Sequence, residues 1–99
     1  MQFFVVFTPK QVFETQGMPA DFPDLERQEQ AQTRVLYGDG SLRQAWALEP
    51  KGRGAAVLFE ARSPEHLQQV IDTFPLMKAD YADAKVLQLA PHPAFTPQS

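Results

Sequence analysis

Phe3-Phe4-Val5-Val6-Phe7 is an unbroken apolar run near the start of a chain of 99 residues. It is too short for a helix and rich in residues that favour extended backbone, so it predicts a strand over Gln2–Thr8. Side chains along a strand alternate between the two faces of a sheet, and a strand apolar on both sides requires both faces to be covered. For a chain of this length, which supplies a single domain over residues 1–99, that requirement is the hardest to meet.

The nine prolines divide the rest of the chain, because proline fixes φ, lacks an amide donor and sits at the ends of elements. Residues 9–20, with Gly17 and Pro19, form a loop with room for a short helical turn. A first helix is predicted from Phe22 to Tyr37. Asp21, Asp24 and Glu26 favour its positive end, and Gly38 and Gly40 stop it. Ser41–Glu49 and Gly54–Ala61 read as a second and third strand joined by a turn at Pro50-Lys51-Gly52-Arg53. Ser63 caps a second helix with Pro64 at its first position. Leu67, Val70, Ile71 and Phe74 give that helix one apolar stripe, and Pro75 ends it. Tyr81–Ala90 is a fourth strand, followed by a proline-pinned tail over residues 90–99.

The order β-α-β-β-α-β predicts an α+β, ferredoxin-like fold: a four-stranded antiparallel sheet with both helices on one face. The other face stays apolar in Phe3–Phe7 and in Ala55-Ala56-Val57-Leu58-Phe59, and no residues are left to cover it. A second copy packed sheet against sheet supplies the cover, which predicts a homodimer or larger homo-oligomer built as a dimeric α+β barrel. The alternative is a monomer with a large exposed apolar patch, which is rare.

Composition narrows the function. Nine Lys+Arg against twelve Asp+Glu give a net charge of −3, without the basic surplus of a nucleic-acid binder. No apolar run is long enough to span a membrane. Met1-Gln2-Phe3-Phe4 lacks the charged start of a secretion signal, so a soluble cytoplasmic protein is expected. The absence of cysteine excludes disulfides, thiol nucleophiles and thiolate metal sites. His66 and His92 are far apart, with no ligand spacing around either, so no metal is expected. Gly52 and Gly54 flank a hairpin turn and do not open a helix, so they form no phosphate loop. No cofactor is implied.

On the first helix, Phe22, Leu25 and Leu36 share one side, and Glu29 falls inside that stripe with Gln32 beside it. A carboxylate on the sheet-facing side reads either as a general acid or base in a cavity, or as a structural group paired with Arg43 or Lys85 or turned to solvent. Alternation in the second strand sets Leu42, Gln44, Trp46 and Leu48 on one side and Arg43, Ala45, Ala47 and Glu49 on the other. A pocket walled by Trp46 and Tyr81, with a cation from Arg43 or Lys85 and an acid from Glu29, suits a small planar anion. Trp46 reads as core ahead of ligand platform, because a lone tryptophan usually serves packing.

The Phe-rich first strand, Leu25-Glu26-Arg27-Gln28-Glu29, Gly40-Ser41-Leu42-Arg43-Gln44-Ala45-Trp46, Thr73-Phe74-Pro75-Leu76-Met77 and His92-Pro93 occur in an order and spacing that resemble the muconolactone delta-isomerase family. The chain departs from the family pattern at Phe4–Phe7, where members commonly carry a basic residue, and at Ala47, where Arg commonly follows the Trp. The resemblance implies an α+β barrel assembled from several copies. It also implies a reaction without metal or organic cofactor, in which a proton shift moves a double bond in an unsaturated lactone from aromatic-compound breakdown. It places Glu29 as proton carrier, with Arg43 and Trp46 in the Gly-x-x-Arg-x-x-Trp run.

The leading expectation is therefore an isomerase acting on a small organic ligand, with Glu29 and Arg43 catalytic and Trp46, Tyr81, Gln32 and Lys85 binding the substrate. The alternatives are a non-enzymatic small-molecule-binding or accessory dimer, or another cofactor-free enzyme of the same superfamily, YciI-like or monooxygenase-like.

Overall fold

In the computed structural model, which describes residues 1–49 and 53–95, the apolar first strand lies inside the sheet. Strand β1 (Gln2–Pro9) pairs antiparallel on one side with β3 (Ala55–Glu60) and on the other with β4 (Ala82–Leu89). Strand β2 (Leu42–Ala47) pairs with β3, giving the order β2-β3-β1-β4. This is the expected α+β, ferredoxin-like arrangement.

Register separates the two faces. Phe3 lies opposite Phe59 and Val5 opposite Val57, so these four share one face. They are buried with Leu42 against Leu67, Ile71 and Phe74 from the helical side. Phe4 opposite Leu58 and Leu87, and Val6 opposite Ala56 and Lys85, point the other way. There Phe4 meets Trp46 with ring centroids 6.1 Å apart. Trp46, Leu87 and Leu89 keep 47%, 44% and 41% of their surface exposed. The core therefore lies between the helices and one face, and the other face is apolar and open.

The first predicted helix is α2 (Phe22–Asp39), preceded by the short α1 (Phe13–Gln16) in the expected loop. Helix α2 runs through Gly38 and is stopped by Gly40, whose φ of 88° is the left-handed conformation that glycine adopts without penalty. The second predicted helix is α3 (Pro64–Asp72), where the Ser63 hydroxyl oxygen accepts from the His66 N–H at 3.0 Å. His66 is half-buried, and its Nδ1 accepts from the Arg62 N–H, so it belongs to this cap.

Two expectations need correction. Pro75 does more than end a helix: it opens a further one, α4 (Pro75–Lys78), at the position where a missing N–H costs nothing. In β2 the register shifts between Leu42 and Gln44. This bulge inserts one residue and breaks the simple alternation. Leu42 faces the helices opposite Phe59, whereas Gln44 and Trp46, opposite Leu58 and Ala56, face the open side. The expected turn at Pro50-Lys51-Gly52 lies outside the described residues, as does the end of the tail at 96–99.

Past β4 the described residues 90–95 are exposed and include a 3-10 turn, Pro93–Phe95, with Phe95 84% exposed. The radius of gyration is 15.0 Å, against about 13 Å for a compact chain of this length. No described helix is long and apolar enough to cross a membrane.

Candidate active site

Between the helix-bearing face of the sheet, α2 and α4 lies an open-mouthed cavity of about 80 Å³. Phe7, Thr8 and Pro9 from the end of β1 line it on one side, and Phe22, Glu29 and Thr33 from α2 on another. Gly54, Ala55 and Val57, together with Leu42, close the hairpin side, and Phe74, Leu76 and Ala82 close the opposite one. A water molecule's share of liquid is about 30 Å³, and a cavity of about 150 Å³ holds a benzene ring. The cavity is therefore smaller than one that encloses a whole benzene ring.

Glu29 is the titratable group on this wall among the described lining residues. Its position follows from local rules on two elements. The 3.6-residue period of α2 places it one turn beyond Leu25, on the side that meets the sheet. Pro75 at the start of α4 leaves the following amide, that of Leu76, without a partner inside the helix. The Glu29 Oε1 atom accepts from this Leu76 N–H at 3.2 Å. Burial pushes the Glu29 pKa above the usual carboxylate range, the Leu76 hydrogen bond pulls it partly back, and the nearby Glu26 charge adds a smaller upward push. The pairing expected as an alternative, with Arg43 or Lys85, is thus replaced by a main-chain donor. Sequence reading missed that donor, although the proline signature that identified the start of α3 at Pro64 also marks Pro75.

The other expected residues do not converge on Glu29 within one chain. Gln32 donates through Nε2 to the Thr73 hydroxyl at 2.6 Å, and Thr73 in turn donates to the Val70 carbonyl. Gln32 thereby ties α2 to the corner between α3 and α4, from which Phe74 and Leu76 reach the cavity. Tyr81 stacks on Phe22 at 6.2 Å, meets Phe13 edge-on at 5.6 Å and donates its hydroxyl proton to Asp21 at 3.0 Å. That acceptor holds the Tyr81 pKa above the usual phenol value. Tyr81 therefore stands behind the cavity wall, supporting Phe22.

Arg43, beside the bulge, is exposed in a shallow cleft with Tyr37, Gly38, Asp39 and Gly40. Trp46 and Lys85 lie on the open face of the sheet, opposite to the cavity. The single-chain pocket of Trp46, Tyr81, Arg43, Lys85 and Glu29 does not form, because the bulge turns Trp46 away and the pleat turns Lys85 away. Among the described residues no group of three or more acidic or histidine side chains is placed to hold a metal ion.

The model of the muconolactone delta-isomerase family matches residues 1–94 of the chain. The chain belongs to this family. Among solved structures it is similar to muconolactone isomerase, with a TM-score of 0.75 and 24% identity, over 100% of this chain and 98% of that one. It also resembles a 5-chloro-2-hydroxyhydroquinone dehydrochlorinase from Burkholderia phenoliruptrix AC1100, in complex with 2,5-dihydroxybenzoquinone. There the TM-score is 0.61 and the identity 12%, over 91% of this chain and 94% of that one. At these identities both likenesses establish a shared fold. A search of curated protein sequences finds no match.

Proposed function

We propose that this member of the muconolactone delta-isomerase family is a cofactor-independent isomerase that shifts a proton next to a carbonyl group, in a small unsaturated lactone or a related metabolite of aromatic-compound breakdown. The observation that carries the reading is Glu29: a half-buried carboxylate on an apolar wall, with one oxygen held by the Leu76 N–H and its proton affinity raised by burial. A carboxylate tuned in this direction matches the requirement of general acid–base catalysis near neutral pH.

In the reaction, a carboxylate oxygen of ionised Glu29 takes a proton from the carbon beside the ring double bond. The C–H electron pair moves into the ring, and negative charge collects on the carbonyl oxygen as an enolate. At the open mouth of the cavity Glu29 exchanges this proton with solvent and delivers a solvent-derived one to a different ring carbon, and the double bond forms in its new place. Nothing is oxidised or reduced, and the carboxylate is regenerated.

Proton transfer belongs to Glu29. Gln32 and Tyr81 act on the ligand through the walls they hold. Arg43, Trp46 and Lys85 do not reach the cavity of their own chain and act as residues of the assembled homodimer. That dimer forms sheet to sheet over Phe4, Val6, Trp46, Leu58, Leu87 and Leu89. Burying each large apolar side chain is worth about 1.5–3 kcal/mol, which favours association over leaving this face in water.

The test is incubation with a panel of unsaturated lactones in deuterated water, read by mass spectrometry. Deuterium entering the ring together with a shifted double bond is the expected result. Ligand binding without exchange would make the protein a binding or accessory dimer. Loss of a leaving group without exchange would align it with the different chemistry that the dehydrochlorinase performs on the same fold.

A further inference from the structure

Glu29 and Gln32 stand one turn apart on α2, on the same side of the helix. Both reach the corner where α3 ends and α4 begins. Glu29 Oε1 accepts from the Leu76 N–H at 3.2 Å, and Gln32 Nε2 donates to the Thr73 hydroxyl at 2.6 Å. Helix α2 therefore grips the corner at two points, Thr73 and Leu76. Thr73 is itself fixed, because its hydroxyl donates to the Val70 carbonyl at 2.6 Å.

The stretch between the two points is stiff. The ring of Pro75 locks its φ, and a residue that precedes proline is restricted to extended backbone. Phe74 has that conformation, with φ −69° and ψ 135°. Its buried ring is packed against Phe7 and Phe59 at centroid distances of 5.7 Å and 6.2 Å. With one locked and one restricted residue between them, the place of the Thr73 hydroxyl governs the direction of the Leu76 N–H.

We propose that Gln32 and Thr73 are positioning residues for Glu29: their hydrogen bond holds the corner so that the Leu76 N–H stays on Glu29 Oε1 and keeps the carboxylate in one orientation at the cavity wall. The proposal rests on Glu29 being the proton carrier. Neither Gln32 nor Thr73 lines the cavity, so both act through the main chain. The Leu76 bond pulls the Glu29 pKa down against the push of burial, and a slackened corner lets it rise further. Glu26, on the same helix, adds a smaller upward push. Lys78 ends α4 at the exposed surface, and among the described residues no titratable side chain besides Glu29 lines the cavity.

The test is nuclear magnetic resonance of the intact protein, following the Glu29 carboxyl carbon and the Leu76 amide through a pH titration. The parent is compared with Gln32→Leu, Thr73→Val and Thr73→Ser. Thr73 is exposed and Gln32 half-buried, so these changes leave the core intact. In the parent the Leu76 amide should move with the ionisation of Glu29 at one shared midpoint. In Gln32→Leu and Thr73→Val that movement should shrink, and the Glu29 midpoint should shift to higher pH. Thr73→Ser keeps the hydroxyl and should titrate like the parent. Deuterium entry into a lactone, measured below the parent midpoint, should fall about fivefold in the first two variants, the scale of one net hydrogen bond. A parent-like midpoint in Gln32→Leu or Thr73→Val overturns the inference, even where melting temperature falls, since a merely structural tie alters stability alone. A parent Leu76 amide that ignores the Glu29 titration overturns it, as does a Thr73→Ser profile matching Thr73→Val. The titrations need no substrate, which separates the two claims. Turnover with unshifted midpoints refutes this inference alone, whereas the expected shifts without turnover of any lactone refute the isomerase reading and leave a positioned carboxylate.

Discussion

Replacing Gly54 by alanine tests how closely the hairpin passes the first strand at the cavity mouth. Gly54 has a φ of 103°, and a Cβ built there overlaps the backbone carbonyl oxygen of Phe7 and lies 3.2 Å from the Leu48 Cδ1 atom. Gly40 serves as the matched control, because its φ is 88° but a Cβ there meets nothing within 4 Å. Both substitutions force a non-glycine residue into the left-handed region, at about 1–2 kcal/mol. Only Gly54→Ala must also push the hairpin away from β1, which strains the Leu48 N–H bond to the Gly54 carbonyl, 3.2 Å in length and worth about 1 kcal/mol. Displaced packing around Phe7 and Ala55 adds a further cost of about 1 kcal/mol, the value of roughly one buried methylene group. Gly54→Ala should therefore be less stable than Gly40→Ala by about 2 kcal/mol, and melt about 8–16 °C lower in a domain of this size. Urea unfolding followed by circular dichroism, at one fixed protein concentration, reads the difference. Equal midpoints for the two variants would refute the close approach, and with it the shape assigned to that wall of the cavity.

Two further predictions concern ionisation and assembly. Because burial raises the Glu29 pKa in the folded chain, the native state keeps this proton to higher pH than the unfolded state does. The resulting penalty is absent below the ordinary value of 4.5 and complete once pH passes the raised one, so stability falls as pH rises through that window. Glu29→Gln should flatten the fall in urea midpoints over this range, and a profile parallel to the parent would show that Glu29 does not cause it. On the open face, Leu87→Asp places a charge where the proposed dimer buries an apolar side chain. Sedimentation velocity should find the parent at a multiple of 11.1 kDa and the variant shifted towards monomer, and a monomeric parent would contradict the sheet-to-sheet assembly.

The sheet and its order were legible because strong local signals agree. A run apolar on both sides marked the strand that lies inside the sheet, Ser63-Pro64 marked a helix start, and the spacing of Leu67, Val70, Ile71 and Phe74 marked its buried stripe. The same period put Glu29 on the side of α2 that meets the sheet. Three things escaped. The bulge between Leu42 and Gln44 carries no glycine or proline, yet one inserted residue moves Trp46 to the opposite face. Pro75 follows Phe74 at the end of an apolar stripe, where stop and start signals coincide, and only the backbone shows that it does both. The partner of Glu29 is the Leu76 N–H, a main-chain donor that no comparison of side-chain types can nominate.

The most direct measurement of the account is the rate at which deuterium from solvent enters a lactone that the protein isomerises, compared between the parent and Glu29→Gln with circular dichroism verifying the fold of both. The amide preserves the size of the side chain and an oxygen to accept from Leu76, and removes only the capacity to carry a proton. The account predicts a loss of about a hundredfold or more, the usual contribution of a positioned acid–base group. An unchanged rate in the folded variant would contradict it.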